Sequence, residues 1–265
     1  MLEWIAYIVL GLFVGFIAGL FGVGGGLIIV PVLVYIFTAH QFSDQYIMHL
    51  ALGTAMASII FTSISSVREH HAHAAVDWKI WRDLSPGILL GTLLGTVLVA
   101  YMSAFFLKIF FVVFVLYVAT QMLLNIKPKA ARELPQWPGM FAAGNVIGSV
   151  SSFVGIGGGV LSIPFMLWCN TTLHRAIGTS AAIGLPIAVA GTVGFIANGW
   201  LVRSELPAQS FGFIYWPALA AIVVASVLTA PIGARLAHRL PVKKLKKIFA
   251  FFLYILAIRM AASLF

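Results

Sequence analysis

The sequence predicts an all-α polytopic membrane protein of two homologous halves, inverted relative to each other, each carrying a glycine-rich helix break or re-entrant hairpin. Three observations carry this expectation. Of 265 residues, 62% are hydrophobic and 9% charged, and the mean hydropathy is +1.06; a soluble domain carries about 25% charged residues. The stretch Gly22-Val-Gly-Gly-Gly-Leu-Ile-Ile-Val-Pro31 recurs as Gly155-Ile-Gly-Gly-Gly-Val-Leu-Ser-Ile-Pro164. Finally, the basic residues gather on one side of a membrane only if both glycine stretches are hairpins.

The apolar runs Gly87 to Phe106 and Ile109 to Leu124 approach or reach the roughly 20 residues that cross a bilayer. Met-Leu-Glu-Trp at the start has no basic residue ahead of the apolar stretch, so no cleaved signal peptide is expected. The duplication extends past the glycines: Gly15 matches Gly148, His49-Leu-Ala-Leu-Gly-Thr54 matches His174-Arg-Ala-Ile-Gly-Thr179, and Pro86 is paired with Pro217. Lys127, Lys129, Arg132, Glu133 and three prolines mark 127–138 as a cytoplasmic linker between a first repeat, 1–126, and a second, 139–265. Matched interruptions in two halves of a membrane chain point to a transport site where they meet.

The segment Trp4 to Phe37 decides the topology. As one helix it would be about 51 Å long, against a hydrocarbon core of about 30 Å, so it must bend, and Gly22 to Gly26 is the place. Without hairpins the sixteen Lys and Arg residues divide eight against eight; with one in each half, Lys108, Arg203 and Arg259 face one side and thirteen face the other. The hairpins therefore satisfy the positive-inside rule. They put five helical passes in each half and both termini outside. The arms Leu27 to Phe37 and Val160 to Trp168 read as half-helices, about 16 Å or less.

At each tip, glycines precede a short helix whose first amides lack intrahelical partners. The helix dipole favours an anion there, and Gly24, Gly25, Gly26, Gly157, Gly158 and Gly159 would let one reach the backbone. The competing reading is that these glycines only permit a tight bend and close packing. Pro31 and Pro164 bend the short arms, shaping a cavity or fixing a helix angle. Thr54, Thr179 and Ser180 open the following helices, and Ser151 and Ser152 precede the second tip; they are candidates to complete an anion shell, or else they bond to helix carbonyls. His49 and His174 read as helix caps, with proton coupling as the alternative.

All seven acidic residues fall in or beside expected loops, so the carboxylates of many proton-driven pumps are missing and a deep cation site is disfavoured. Arg175 and Arg259 are expected to snorkel. His70, His71 and His73 with Asp77 resemble a metal site, but they sit among Arg68, Lys79 and Arg82 without a counterpart in the other half; no metal and no cofactor are expected. The lone Cys169 excludes an intrachain disulfide. Phosphate-loop, zinc-protease and nucleophile-elbow motifs are absent, so the chain does not read as an enzyme. The net charge of +9 is assigned to cytoplasmic loops beside anionic lipid, as at Lys243 to Lys247, and not to nucleic acid.

With the paired glycine-proline elements and the Gly-Thr helix starts, the chain resembles the TauE/SafE family of sulfite and organosulfonate exporters over residues 20–260. The resemblance implies a plasma-membrane carrier, in bacteria most often the inner membrane, that moves small sulfur-containing or carboxylate anions. Ser162, where the first motif has Ile29, makes the halves unequal. The expected partners are a small anionic solute and membrane lipid, with a homo-oligomer left open. Expelling a monoanion from an inside-negative cell gains about 2.3 kcal/mol per 100 mV, so efflux needs no coupled ion. The alternatives are a passive anion channel and a non-transporting scaffold or sensor.

Overall fold

The computed structural model describes residues 2–124, 132–237 and 242–263. Lys127, Lys129 and Arg239, with residues 127–131 of the expected linker 127–138, lie outside them, as do the side chains of Lys243, Lys244 and Lys246. Ten α-helices are found among the described residues: α1 Leu2–Phe21, α2 Gly26–Ala39, α3 Ile47–Ala72, α4 Trp78–Ala100, α5 Ala104–Leu123, α6 Trp137–Val154, α7 Gly159–Trp168, α8 Leu173–Trp200, α9 Trp216–Ala237 and α10 Val242–Ala262. A two-stranded ribbon, β1 Ser210–Phe211 with β2 Ile214–Tyr215, precedes α9. Six helices (α1, α3, α4, α5, α8 and α9) are long and apolar enough to cross a membrane, whereas α2 and α7 are apolar but short. The seven tryptophans all sit within four residues of a helix end, where an indole meets both lipid and water. This is a multi-pass membrane protein.

Local chemistry sets the boundaries. Asp77 caps α4, its carboxylate accepting from the amides of Lys79 and Ile80 at 3.1 and 3.2 Å. Ser103 caps α5 by accepting from the Phe106 amide. Gly22 (φ +66°) follows the end of α1 and Gly155 (φ +69°) that of α6; Gly25 and Gly158 (φ +79° and +77°) precede α2 and α7. An L side chain in this left-handed region costs roughly 1–2 kcal/mol, which is why the repeat spends glycine there.

The helices pair in a pattern preserved when α1–α5 is exchanged with α6–α10. Helix α1 lies on α9 as α6 lies on α4; α3 lies on α9 as α8 lies on α4; α3 meets α8, and α5 meets α10. Small residues at four-residue spacing hold the first of these pairs together. Cβ atoms at Gly11, Gly15 and Gly19 would run into the Ile222, Ser226 and Ala230 carbonyls of α9, and Cβ atoms at Gly87, Gly91 and Gly95 into the α6 backbone or the Ser152 hydroxyl. Pro86 and Pro217 do not correspond in space, against the sequence pairing. Pro86 is the ninth residue of α4, whereas Pro217 is the second of α9, where a missing N–H costs no helical bond.

Both glycine stretches are hairpins. The base of the first is closed by His40, whose Nε2 lies 3.0 Å from the Glu3 carboxylate. The base of the second is closed by Arg132, whose guanidinium stacks 4.9 Å from the Trp168 ring. The first arm is the longer in each. Near its end, α1 offers the Gly19 carbonyl to His70 at 3.2 Å, beside the last turn of α3. The chain then turns back, so that Gly24 faces Ile59, the centre of α3.

Candidate functional site

The two glycine tips touch. Cβ atoms at Gly26 and Gly159 would fall on the carbonyl oxygens of Gly155 and Gly22 respectively, a reciprocal contact between matching positions. Gly24 and Gly157 meet backbone to backbone, and the Gly157 amide donates to the Val23 carbonyl at 3.3 Å. Helices α2 and α7 thus begin at one crossing, buried at the level where α3 and α8 are halfway along. Among the described residues, the amides of Gly24, Gly25, Gly26, Gly158 and Gly159 have no hydrogen-bond acceptor in the chain. Of the six tip glycines, only Gly157 leaves its matching position's conformation, Gly24 having φ +78°.

Beside the crossing lies a cavity of about 10 Å³, lined by the backbone of Gly22, Gly24, Gly157 and Gly184 and by Thr62, Ser63, Ser66 and Ser180. That is room for about one water-sized particle. Ser180 Oγ donates to the Ile177 or Gly22 carbonyl, at 2.8 and 3.2 Å, and Thr62 Oγ1 to the Ile59 or Ser58 carbonyl. Ser66 Oγ is buried with no partner. No ionisable side chain lines the cavity.

The other sequence candidates are dispersed around the crossing. Thr54 and Thr179 are buried staples between the halves. Thr54 Oγ1 accepts from the Tyr215 amide at 2.9 Å and Thr179 Oγ1 from the Asp77 amide at 2.8 Å, each just ahead of a helix contributed by the opposite half. The preceding glycines make room, since Cβ atoms at Gly53 and Gly178 would meet the carbonyls of Phe213 and Ala75. The Gly-Thr pair is therefore a docking element in this conformation. Ser151 Oγ is buried and unpartnered, and Ser152 Oγ donates to the Ser149 carbonyl. Ser162 Oγ is also buried without a partner. Pro31 and Pro164 lie within α2 and α7, one turn or more from the tips.

Against the expectation from sequence, neither histidine caps its own helix; Tyr46 and Thr172 occupy those positions. His49 Nε2 instead donates to the Val99 carbonyl near the end of α4, and His174 is exposed. His70, His71 and His73 turn apart, toward Gly19, Trp78 and Glu69. No group of three metal-ligating side chains converges among the described residues.

Sequence reasoning missed Thr62, Ser63, Ser66 and Gly184. The signal was present: Ser58, Thr62, Ser63 and Ser66 recur at three- and four-residue spacing, one face of a helix, and the second half has apolar or small residues at the matching positions.

The family model for the sulfite exporter TauE/SafE matches residues 7–260. The chain belongs to the TauE/SafE family. Relatives include a probable membrane transporter protein of Haemophilus influenzae, 37% identical over 254 residues and covering 96% of both chains. Another, from Methanocaldococcus jannaschii, is 25% identical over 85% of this chain and 80% of its own length. A third, YunE of Bacillus subtilis, is 25% identical over 80% and 86%. No solved structure matches the chain. This TauE/SafE protein is a membrane transporter, and the duplicated glycine-proline element that marks its sequence forms the centre of its fold.

Proposed function

We propose that the transporter carries small anions, sulfite or an organosulfonate, across the plasma membrane by alternating access at the glycine crossing. The observation that carries this reading is the meeting of two helix N-termini at which the amides of Gly24, Gly25, Gly26, Gly158 and Gly159 have no acceptor among the described residues. Such amides, aided by two helix dipoles, suit a small oxyanion. The family's description as sulfite exporters supports the substrate class. The cavity of about 10 Å³ beside the tips is too small for such a solute, so transport requires the crossing to open toward one face and then the other.

The same reading makes the halves inverted repeats, 1–126 and 139–265, with both termini outside. Support comes from the exchange symmetry of the helix pairs and from charge. Arg68, Lys79, Arg82, Arg132, Arg175 and Arg235 belong to the end where α3 finishes, and Lys108, Arg203 and Arg259 to the end where it starts. Positive residues mark the cytoplasmic side.

The test is counterflow of labelled sulfite in liposomes containing the purified chain. Saturable counterflow is expected, and Gly25→Leu or Gly158→Leu should abolish it while leaving an inserted protein. A Cβ at Gly25 meets Val14 and one at Gly158 meets Ile187, both at positive φ. Flux without saturation or counterflow would make the protein a passive channel. No flux and no protection by sulfite, sulfoacetate, taurine or small carboxylates would make it a scaffold.

A further inference from the structure

We propose that the hydroxyl-lined cavity beside the crossing is a binding site for one monovalent cation, Na+ by its ligand set, held entirely by neutral oxygens. The proposal rests on the transporter reading but not on the identity of the anion.

At Thr62 and Ser180 the walls offer lone pairs in place of donors. The hydroxyl hydrogens of Thr62 and Ser180 are committed to helix or tip carbonyls, so their free lone pairs are what remains to face a ligand. Ser63 Oγ and the Gly157 carbonyl oxygen converge on the place a Cβ of residue 184 would occupy, at 2.6 and 3.3 Å from it. Ser66 Oγ is 2% exposed for its residue and has no partner. The C-terminal end of α1, through Ala18 and Gly22, forms another wall, and the carbonyl end of a helix carries partial negative charge. Unwound-backbone carbonyls and helix C-terminal ends at a helix break are the ligands that hold coupling cations in transporters with broken helices.

Size and charge narrow the choice. Room for about one water-sized particle admits a single dehydrated monovalent ion, and the ligand set, a helix C-terminal end and unwound backbone carbonyls, is the kind that holds Na+. No carboxylate lines the cavity, and divalent cations are ordinarily held with carboxylate help. The lack of midplane carboxylates therefore argues against a divalent site, not against a ring of neutral oxygens. The cation and an anion on the tip amides would each supply the other's countercharge, making their occupancies mutually favourable and their joint movement electroneutral.

The test uses the purified full chain in lipid nanodiscs. Its thermal midpoint is titrated with NaCl, KCl or choline chloride at constant ionic strength. NaCl alone is expected to raise the midpoint saturably. Ser66→Ala and Gly184→Ala should each raise the half-saturating concentration at least tenfold, and Ser66→Thr, which keeps the oxygen, should retain the response. In liposomes, an imposed Na+ gradient is expected to drive sulfite accumulation. Equal midpoints in all three salts would overturn the site and leave an ordered water as its occupant. Saturable sulfite counterflow unchanged in choline would overturn cation coupling while sparing the anion reading. A Na+ response with no response to any anion would support the cation site and sink the anion reading instead.

Discussion

The two faces of the glycine crossing are built from the same duplicated backbone and differ in the side chains that α3 and α8 bring to them. On one face stand Thr62, Ser63, Ser66 and Ser180; at the matching positions of the other stand Ile187, Ala188, Gly191 and Ala55. The repeat sets Gly184 against Ile59 in the same way. Gly184 leaves a gap that the Ser63 hydroxyl and the Gly157 carbonyl border, whereas Ile59 fills its place and packs on both Gly24 and Gly157. Met56 closes the same face against Gly191. The lesson is a division of labour. Glycines fix a symmetric crossing, because only a bare backbone lets two chains approach so closely. Side chains around it then diverge, so one face can hold something polar while the other is sealed.

The largest effect should come from breaking the symmetric part. Gly26→Leu and Gly159→Leu each drive a side chain into a carbonyl of the opposite tip, a loss on the order of 4 kcal/mol or more for overpacking with no room to yield. Both variants should lose monodispersity and folded yield equally. A marked inequality would show that the tips are not equivalent.

The next effect sharpens the asymmetric part. Ile59→Ala empties the sealed face and should destabilise by about 2–4 kcal/mol, as large-to-small core changes do. With Ala55→Cys in a Cys169→Ala background, it should also speed labelling by an impermeant maleimide. Unchanged labelling would mean that Ile59 packs the core without sealing it.

The smallest effect concerns the staples between halves. Thr54→Ala and Thr179→Ala each leave one buried amide without its acceptor, for about 1–2 kcal/mol apiece. Thr→Ser at either position should restore the midpoint in thermal unfolding. A loss confined to Thr54 would show that docking of the ribbon before α9 matters more than docking of the segment before α4.

Much of the frame was legible without coordinates. The hairpins followed from the length of Trp4 to Phe37 and from charge counting, and Glu3 against His40 and Arg132 against Trp168 close them where expected. The Gly-Thr pairs were visible as repeated, but their task was not. Nothing local in Gly53-Thr54 says that a strand 160 residues away will dock there. Pro86 and Pro217 show the opposite error, a resemblance along the chain that the helix positions do not keep.

The sequence by itself determined the membrane environment, the ten-helix count and the two breaks, because hydropathy, glycine conformation and helix length act within a segment. Tertiary structure alone decided which hydroxyls meet at the crossing. Ser180 comes from α8, Thr62, Ser63 and Ser66 from α3, and the glycines from both tips, elements far apart in the chain. Their convergence depends on helix packing angles and depths that no local pattern encodes.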